Sequence, residues 1–219
     1  MCSTRFAFLF LLALPAFSKP FDLPALLSPT PQGLVPKGWS VELSVEGDLD
    51  GDGTNDIVLV LLRDAAPTGD RPRALVVALR TSGAYRVVGR NRGLLADFQG
   101  LGIKGGDATP VVSIKRKVLN IEQTGGSRET YSSTHRFYLD ETRSRLHFIG
   151  LDETFLDSVT GKEKTTSENL WTGDFIATRT PPQIDDEGKP TGAKTTSTNG
   201  HAAPKPLRVL EDVKKYGNP

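Results

Sequence analysis

The chain reads as an all-β protein, a single domain of antiparallel strands in hairpin and meander connection, arranged as a sheet or a sandwich. Three observations predict this. Apolar residues recur with a period of two or in short unbroken runs, and never with helical spacing over a useful length. Clusters of turn-forming residues, such as Thr81-Ser82-Gly83-Ala84, Gly125-Gly126-Ser127 and Thr160-Gly161-Lys162, separate those runs. No long amphipathic helix can be found after the first twenty residues.

The elements follow in order. Arg5 and the apolar stretch Phe6–Phe17, closed by Ala16-Phe17-Ser18, have the form of an export signal, residues 1–18, with cleavage expected after Ser18. The apolar run is shorter than the roughly 20 residues a membrane span needs, so no membrane span is expected. A Pro-rich lead follows over 19–35, with one helical turn expected around Leu23–Leu27. The domain proper is expected over 36–180. In Trp39–Val45 the apolar residues Trp39, Val41, Leu43 and Val45 alternate with Ser40, Glu42 and Ser44, which predicts a strand with one wet face. Ile57–Leu62 and Arg73–Arg80 are apolar enough to be central strands covered on both sides, and Thr81–Ala84 turns the second into Tyr85–Arg90.

Between Arg92 and Pro110 the pattern dissolves into a Gly-rich loop of a length that is often functional. Two hairpins are then expected. Val111–Ile114 pairs with Val118–Glu122 around the basic turn Lys115-Arg116-Lys117, and Glu129–Leu139 pairs with Arg145–Phe155. In the second, setting Phe137 opposite Phe148 and Leu139 opposite Leu146 gives one apolar face, with Tyr138 opposite His147. Lys164–Thr172 and Phe175–Thr180 complete the strands. From Pro181 the composition turns to Pro, Gly, Thr, Lys and Asp, which predicts a flexible, disordered tail over 181–219. It carries a small apolar cluster at Leu207, Val209, Leu210 and Val213, for which two readings stand: docking back as a strand or helical turn, or fraying.

Composition excludes several chemistries. The one cysteine, Cys2, lies in the expected signal, so the rest of the chain has no disulfide, thiol nucleophile or thiolate metal site. A signal without disulfides suits a periplasmic or extracellular bacterial protein. The net charge is +1 and the signs are interspersed, which does not suit a nucleic-acid partner.

One segment carries chemistry. Asp48, Asp50, Asp52 and Asp56 stand at alternate places of a loop, Gly47–Asp56, that also contains Gly51 and Gly53. Calcium takes six to eight hard oxygens at 2.3–2.6 Å from a loop that curls around it, and alternate residues of a tight turn point inward. Asp48, Asp50 and Asp52 can therefore converge, Thr54 can add its backbone carbonyl, and Asp56 can close the site from the next strand. Four carboxylates so close repel one another without a cation. An EF-hand would need a Glu where Leu59 stands, and helical flanks where strands are expected.

The segment from Gly47 to Val58 resembles the calcium loop of FG-GAP and VCBS-type repeats, known from the propellers of integrin α-subunits. That resemblance implies a ligand set of Asp48, Asp50, Asp52, the Thr54 carbonyl and Asp56. No second such loop occurs, so a full propeller, with typically four to eight blades, is not expected. With its Pro36–Trp39 lead, the chain as a whole resembles exported bacterial proteins carrying one such loop, which implies no particular activity.

Other candidates are weaker. His135 and His147 fall on adjacent strands, yet in the preferred register His147 faces Tyr138 and does not make a zinc pair. Gly125-Gly126-Ser127-Arg128 could cradle an anion, though a plain turn explains it. Trp39, Tyr85, Tyr131, Tyr138 and Trp171 would form a sugar-stacking face only if several shared one exposed surface. The expectation is a calcium-stabilised, non-enzymatic binding module, with a cell-envelope glycan or protein as the candidate partner. The alternative is a secreted hydrolase built on the 92–110 loop.

Overall fold

The computed structural model describes residues 27–64, 71–98, 109–142, 144–204 and 206–214. The expected export signal, most of the Pro-rich lead with its helical turn, and the centre of the 92–110 loop lie outside these residues.

Twelve strands are described: β1 (Leu27–Ser28), β2 (Trp39–Gly47), β3 (Asp56–Arg63), β4 (Arg73–Thr81), β5 (Ala84–Asn91), β6 (Val111–Lys115), β7 (Val118–Gly126), β8 (Glu129–Asp140), β9 (Arg145–Asp157), β10 (Lys162–Asn169), β11 (Asp174–Thr180) and β12 (Thr196–His201). They form two antiparallel sheets, neither closed into a barrel. The first has the order β1-β5-β4-β3-β2 and the second β12-β11-β10-β9-β8-β7-β6. Each sheet is thus built from one continuous part of the chain, and almost every pairing is between sequence neighbours. The all-β antiparallel class expected from the periodicity is the class observed.

The sheets pack face to face. Val58, Val60, Leu75, Val77 and Val88 of the first meet Leu119, Ile121, Phe137, Leu139, Leu146 and Phe148 of the second in one buried cluster. Full burial of such side chains stabilises by roughly 1.5–3 kcal/mol each. The register follows the expected one at its apolar end: Phe137 pairs with Phe148, Tyr138 with His147 and Leu139 with Leu146. A bulge between Arg136 and Phe137 then shifts the ladder, so Arg136 pairs with Gly150. The outer face of the first sheet buries Ile57, Leu59, Leu61, Ala74 and Val76 beneath Leu34, Val35 and Trp39. That explains the unbroken apolar runs of β3 and β4, which are covered on both sides.

Two expectations need correction. β2 does not present one apolar face, because its register shifts between Val41 and Leu43, where Glu42 is the extra residue. Trp39 packs on the outer cluster, Leu43 and Val45 turn to the inner core, and Val41 is left exposed. The flexible tail also narrows. β12 continues the second sheet beyond Pro181, held to β11 by its ladder and by polar side-chain contacts such as His201 Nδ1 with Asp174 Oδ1 at 2.9 Å, since every one of its side chains is exposed and none joins the core. Farther on, a helical turn at Leu210–Asp212 inserts Leu210 and Val213 into the core. Asn91 fastens it, donating from Nδ2 to the carbonyls of Leu210 and Val213, the latter at 2.6 Å. The backbone N–H of Phe148 donates to Arg208 at 2.8 Å, tying the same segment to β9.

Candidate metal centre

The acidic loop joins β2, half-buried where it ends, to the buried strand β3. Gly47 ends β2 where a Cβ would sit 2.9 Å from Ile114 Cβ, so only glycine lets the loop's root press against β6 of the facing sheet. Gly51 and Gly53 hold φ of 85° and 84°, which the curl requires and other residues rarely adopt.

Asp48 turns its carboxylate over the loop. Its Oδ1 accepts from the Gly51 N–H and its Oδ2 from the Gly53 N–H at 3.1 Å. Asp50 Oδ1 accepts from the Asp52 N–H at 3.1 Å. Asp56, at the start of β3, is fully buried and accepts from Leu49 N at 2.8 Å and Arg80 N at 2.9 Å. Burial pushes its carboxyl above the ordinary carboxylate range, the charge of Asp50 adds to this, and the backbone donors work against it.

Asp48, Asp50 and Asp56 each offer a carboxylate oxygen, and these oxygens lie within 4.8 Å of one another. Two ligands at 2.3–2.6 Å from a common ion are at most roughly 5 Å apart, so the cluster can hold a metal ion. It is the sole such group among the described residues. Asp52 is held differently. Its Oδ1 accepts from Thr54 N at 2.7 Å and from Thr54 Oγ1 at 2.5 Å, which lowers its pKa. Of the expected set, then, the structure brings together Asp48, Asp50 and Asp56, while Asp52 and Thr54 bond to each other.

One residue at the loop was not anticipated. Lys117, in the β6–β7 turn, donates from Nζ to the Asp50 carbonyl at 2.6 Å and also pairs with Glu141 at 3.3 Å. Its end lies so close that a Cβ on Gly51 would sit 1.9 Å from Lys117 Cε. Arg116 and Lys117 have φ of 51° and 64°, so the basic run is indeed a tight turn. No local signal in the sequence places that turn over the acidic loop; only the facing of the two sheets does.

Several of the remaining candidates are accounted for by packing or turn contacts. His135 is buried and stacks on Phe148 with ring centroids 5.4 Å apart, whereas His147 sits 3.8 Å from the Asp140 carboxylate. Arg128 pairs with Asp157 at 3.2 Å, as in a strand-to-strand turn. Leu94, Leu95 and Ala96 of the 92–110 loop are buried, and Gln123 satisfies the backbone there through Ala96 N–H and Leu94 C=O. Trp39 and Tyr85 join the outer cluster of the first sheet.

Comparison with protein-family models, curated proteins and solved structures finds no match to this chain. Among the described residues no helix is long and apolar enough to cross a membrane. The functional reading therefore rests on the chain's own geometry.

Proposed function

We propose that the protein is an exported, calcium-stabilised β domain that acts as a binding module. The observation that carries the calcium reading is the convergence of Asp48, Asp50 and the buried Asp56 on one point between two strands. All the donors are hard oxygens, which suit calcium or magnesium and not a soft metal. The loop is short and glycine-jointed, and Asp52 and the Thr54 carbonyl are near enough in sequence to complete the shell when an ion draws them in. The likeness of the Gly47–Val58 spacing to FG-GAP and VCBS-type calcium loops supports calcium over magnesium. The apolar run at residues 6–17 supports export.

The ion's role in this reading is to staple β2 to β3. Asp56 is a carboxylate in a dry setting beside another, so the cation relieves a repulsion that folding creates. Extracellular calcium modules bind with Kd of about 10⁻⁴–10⁻³ M, and calcium at tenfold over Kd stabilises by roughly 1.4 kcal/mol.

Calorimetric titration with calcium and with magnesium tests this, alongside thermal melts. Calcium should bind in that range and raise the melting temperature, and Asp50→Ala should melt like the chelated wild type. A melt indifferent to calcium, or Asp50→Ala responding fully, would remove the proposal.

A further inference from the structure

A second feature is bordered by Glu141, the carboxylate with which Lys117 pairs. The turn after β10 is tightly built: Asn169 Oδ1 accepts from Trp171 N at 3.0 Å and from Thr172 N at 3.1 Å, and Gly173 N donates to Asn169 O at 2.7 Å. This rigid turn holds out Trp171, 54% exposed. Its ring meets Tyr138 of β8 edge-on, with centroids 5.5 Å apart at 68°. The two rings line an open cavity of about 680 Å³, together with Asp140, Glu141, His147 and Leu207.

We propose that this cavity binds a neutral saccharide, which gives the binding module its ligand class. A pyranose has a face of C–H groups and a rim of hydroxyls. An indole presented by a fixed turn accepts the face and loses little freedom on binding. The carboxylates beside it accept from the rim, each with several lone-pair positions.

The charges favour a neutral ligand over a cation. Glu141 is already paired with Lys117 at 3.3 Å. Asp140 accepts from Thr142 N at 3.0 Å and Thr142 Oγ1 at 2.6 Å, and it faces His147 Nε2 at 3.8 Å. Glu141's charge is thus compensated by Lys117 and Asp140's oxygens are engaged by Thr142, and both carboxylates keep acceptor capacity for hydroxyl groups. An ammonium ligand would also compete with Lys117 for Glu141.

The proposal rests on the binding-module reading and not on the identity of the ion. Its test is calorimetric titration of the full chain with cellohexaose, xylohexaose, maltohexaose and chitohexaose, with tetramethylammonium chloride as the cationic probe. At least one oligosaccharide should bind saturably. Trp171→Ala should weaken that binding tenfold or more with an unchanged melting temperature, and Trp171→Phe should recover part of it. Glu141→Gln, which keeps an acceptor oxygen, should weaken it less than Trp171→Ala. Binding that survives Trp171→Ala, binding of tetramethylammonium in place of the sugars, or no binding of any of the four would each overturn the proposal. Calcium heats are read on the protein alone, so failure of the calcium reading shows separately from failure of this one.

Discussion

The ammonium of Lys117 donates to the backbone carbonyl of Asp50 at 2.6 Å, so a lysine of the second sheet lies over the acidic loop of the first. It holds a positive charge beside the aspartates and partly offsets their repulsion. A divalent cation entering the loop meets that charge as an opponent. A unit charge a few ångströms away in a mostly aqueous setting is worth about 1 kcal/mol, or roughly fivefold in affinity. Lys117→Met should therefore tighten calcium binding by about two- to tenfold and lower the melting temperature of the chelated protein. Parallel calcium titrations of the two proteins read the first effect. An unchanged or weaker affinity would mean that Lys117 shapes the loop and does not compete with the ion.

Arg73 is 1% exposed, and its Nε and Nη2 grip Glu42 at 2.7 Å each, while Nη1 donates to Ala96 O at 3.1 Å. Glu42 is the extra residue of the β2 bulge, so the irregularity in the ladder supplies the partner for a buried cation. Removing one member of such a pair costs about 3–5 kcal/mol, because the other is left buried and uncompensated. Arg73→Met should show that loss as a lowered urea midpoint. The double variant Arg73→Met with Glu42→Leu should regain much of it. A single variant as stable as the wild type would show the pair to be dispensable.

His135 gives the fold an acid-side weakness. Burial, aided by the positive charge of Arg208, lowers its pKa from 6.5 to about 4. Above 6.5 the ring is neutral in both folded and unfolded chains and contributes no pH dependence. Between 6.5 and 4 the unfolded chain takes up a proton that the folded one refuses, so stability falls as pH falls, by roughly 3 kcal/mol in all. Asp56 and Glu153, whose carboxyls are raised mainly by burial, oppose part of this trend. Denaturant melts of wild type and His135→Leu from pH 7 to pH 4 isolate the histidine. The variant should lack this component of the slope, and its stability at pH 7 should not suffer, since His135 Nδ1 is buried without a hydrogen-bond partner. Equal slopes in the two proteins would contradict the assignment.

What could be read from the sequence was what is local. The Phe137–Phe148 register follows from alternation across one hairpin, and the acidic loop is a run of contiguous residues. The bulge at Glu42 was hidden because a glutamate on an alternating strand looks like an ordinary wet-face residue. β12 was hidden for a different reason: Thr196–His201 has no apolar side chain, and its strand conformation comes from backbone pairing with β11. The same limit applies to the sites. Lys117 and Asp50, or Tyr138 and Trp171, are far apart along the chain and meet only through sheet packing and strand registers that no local pattern encodes.

Because the Leu210–Asp212 turn is wedged against both β5 and β9, the order in which the chain is made acquires a meaning. The hairpins of each sheet pair near neighbours and can form early, one after another, as the polypeptide lengthens. The clasp that seals the two sheets cannot. Until synthesis has passed Val213 the core stays open at that end, with Leu146 and Phe148 short of part of their cover. The time between the last hairpin and the clasp is when an incomplete chain is most exposed to proteases and to its own copies.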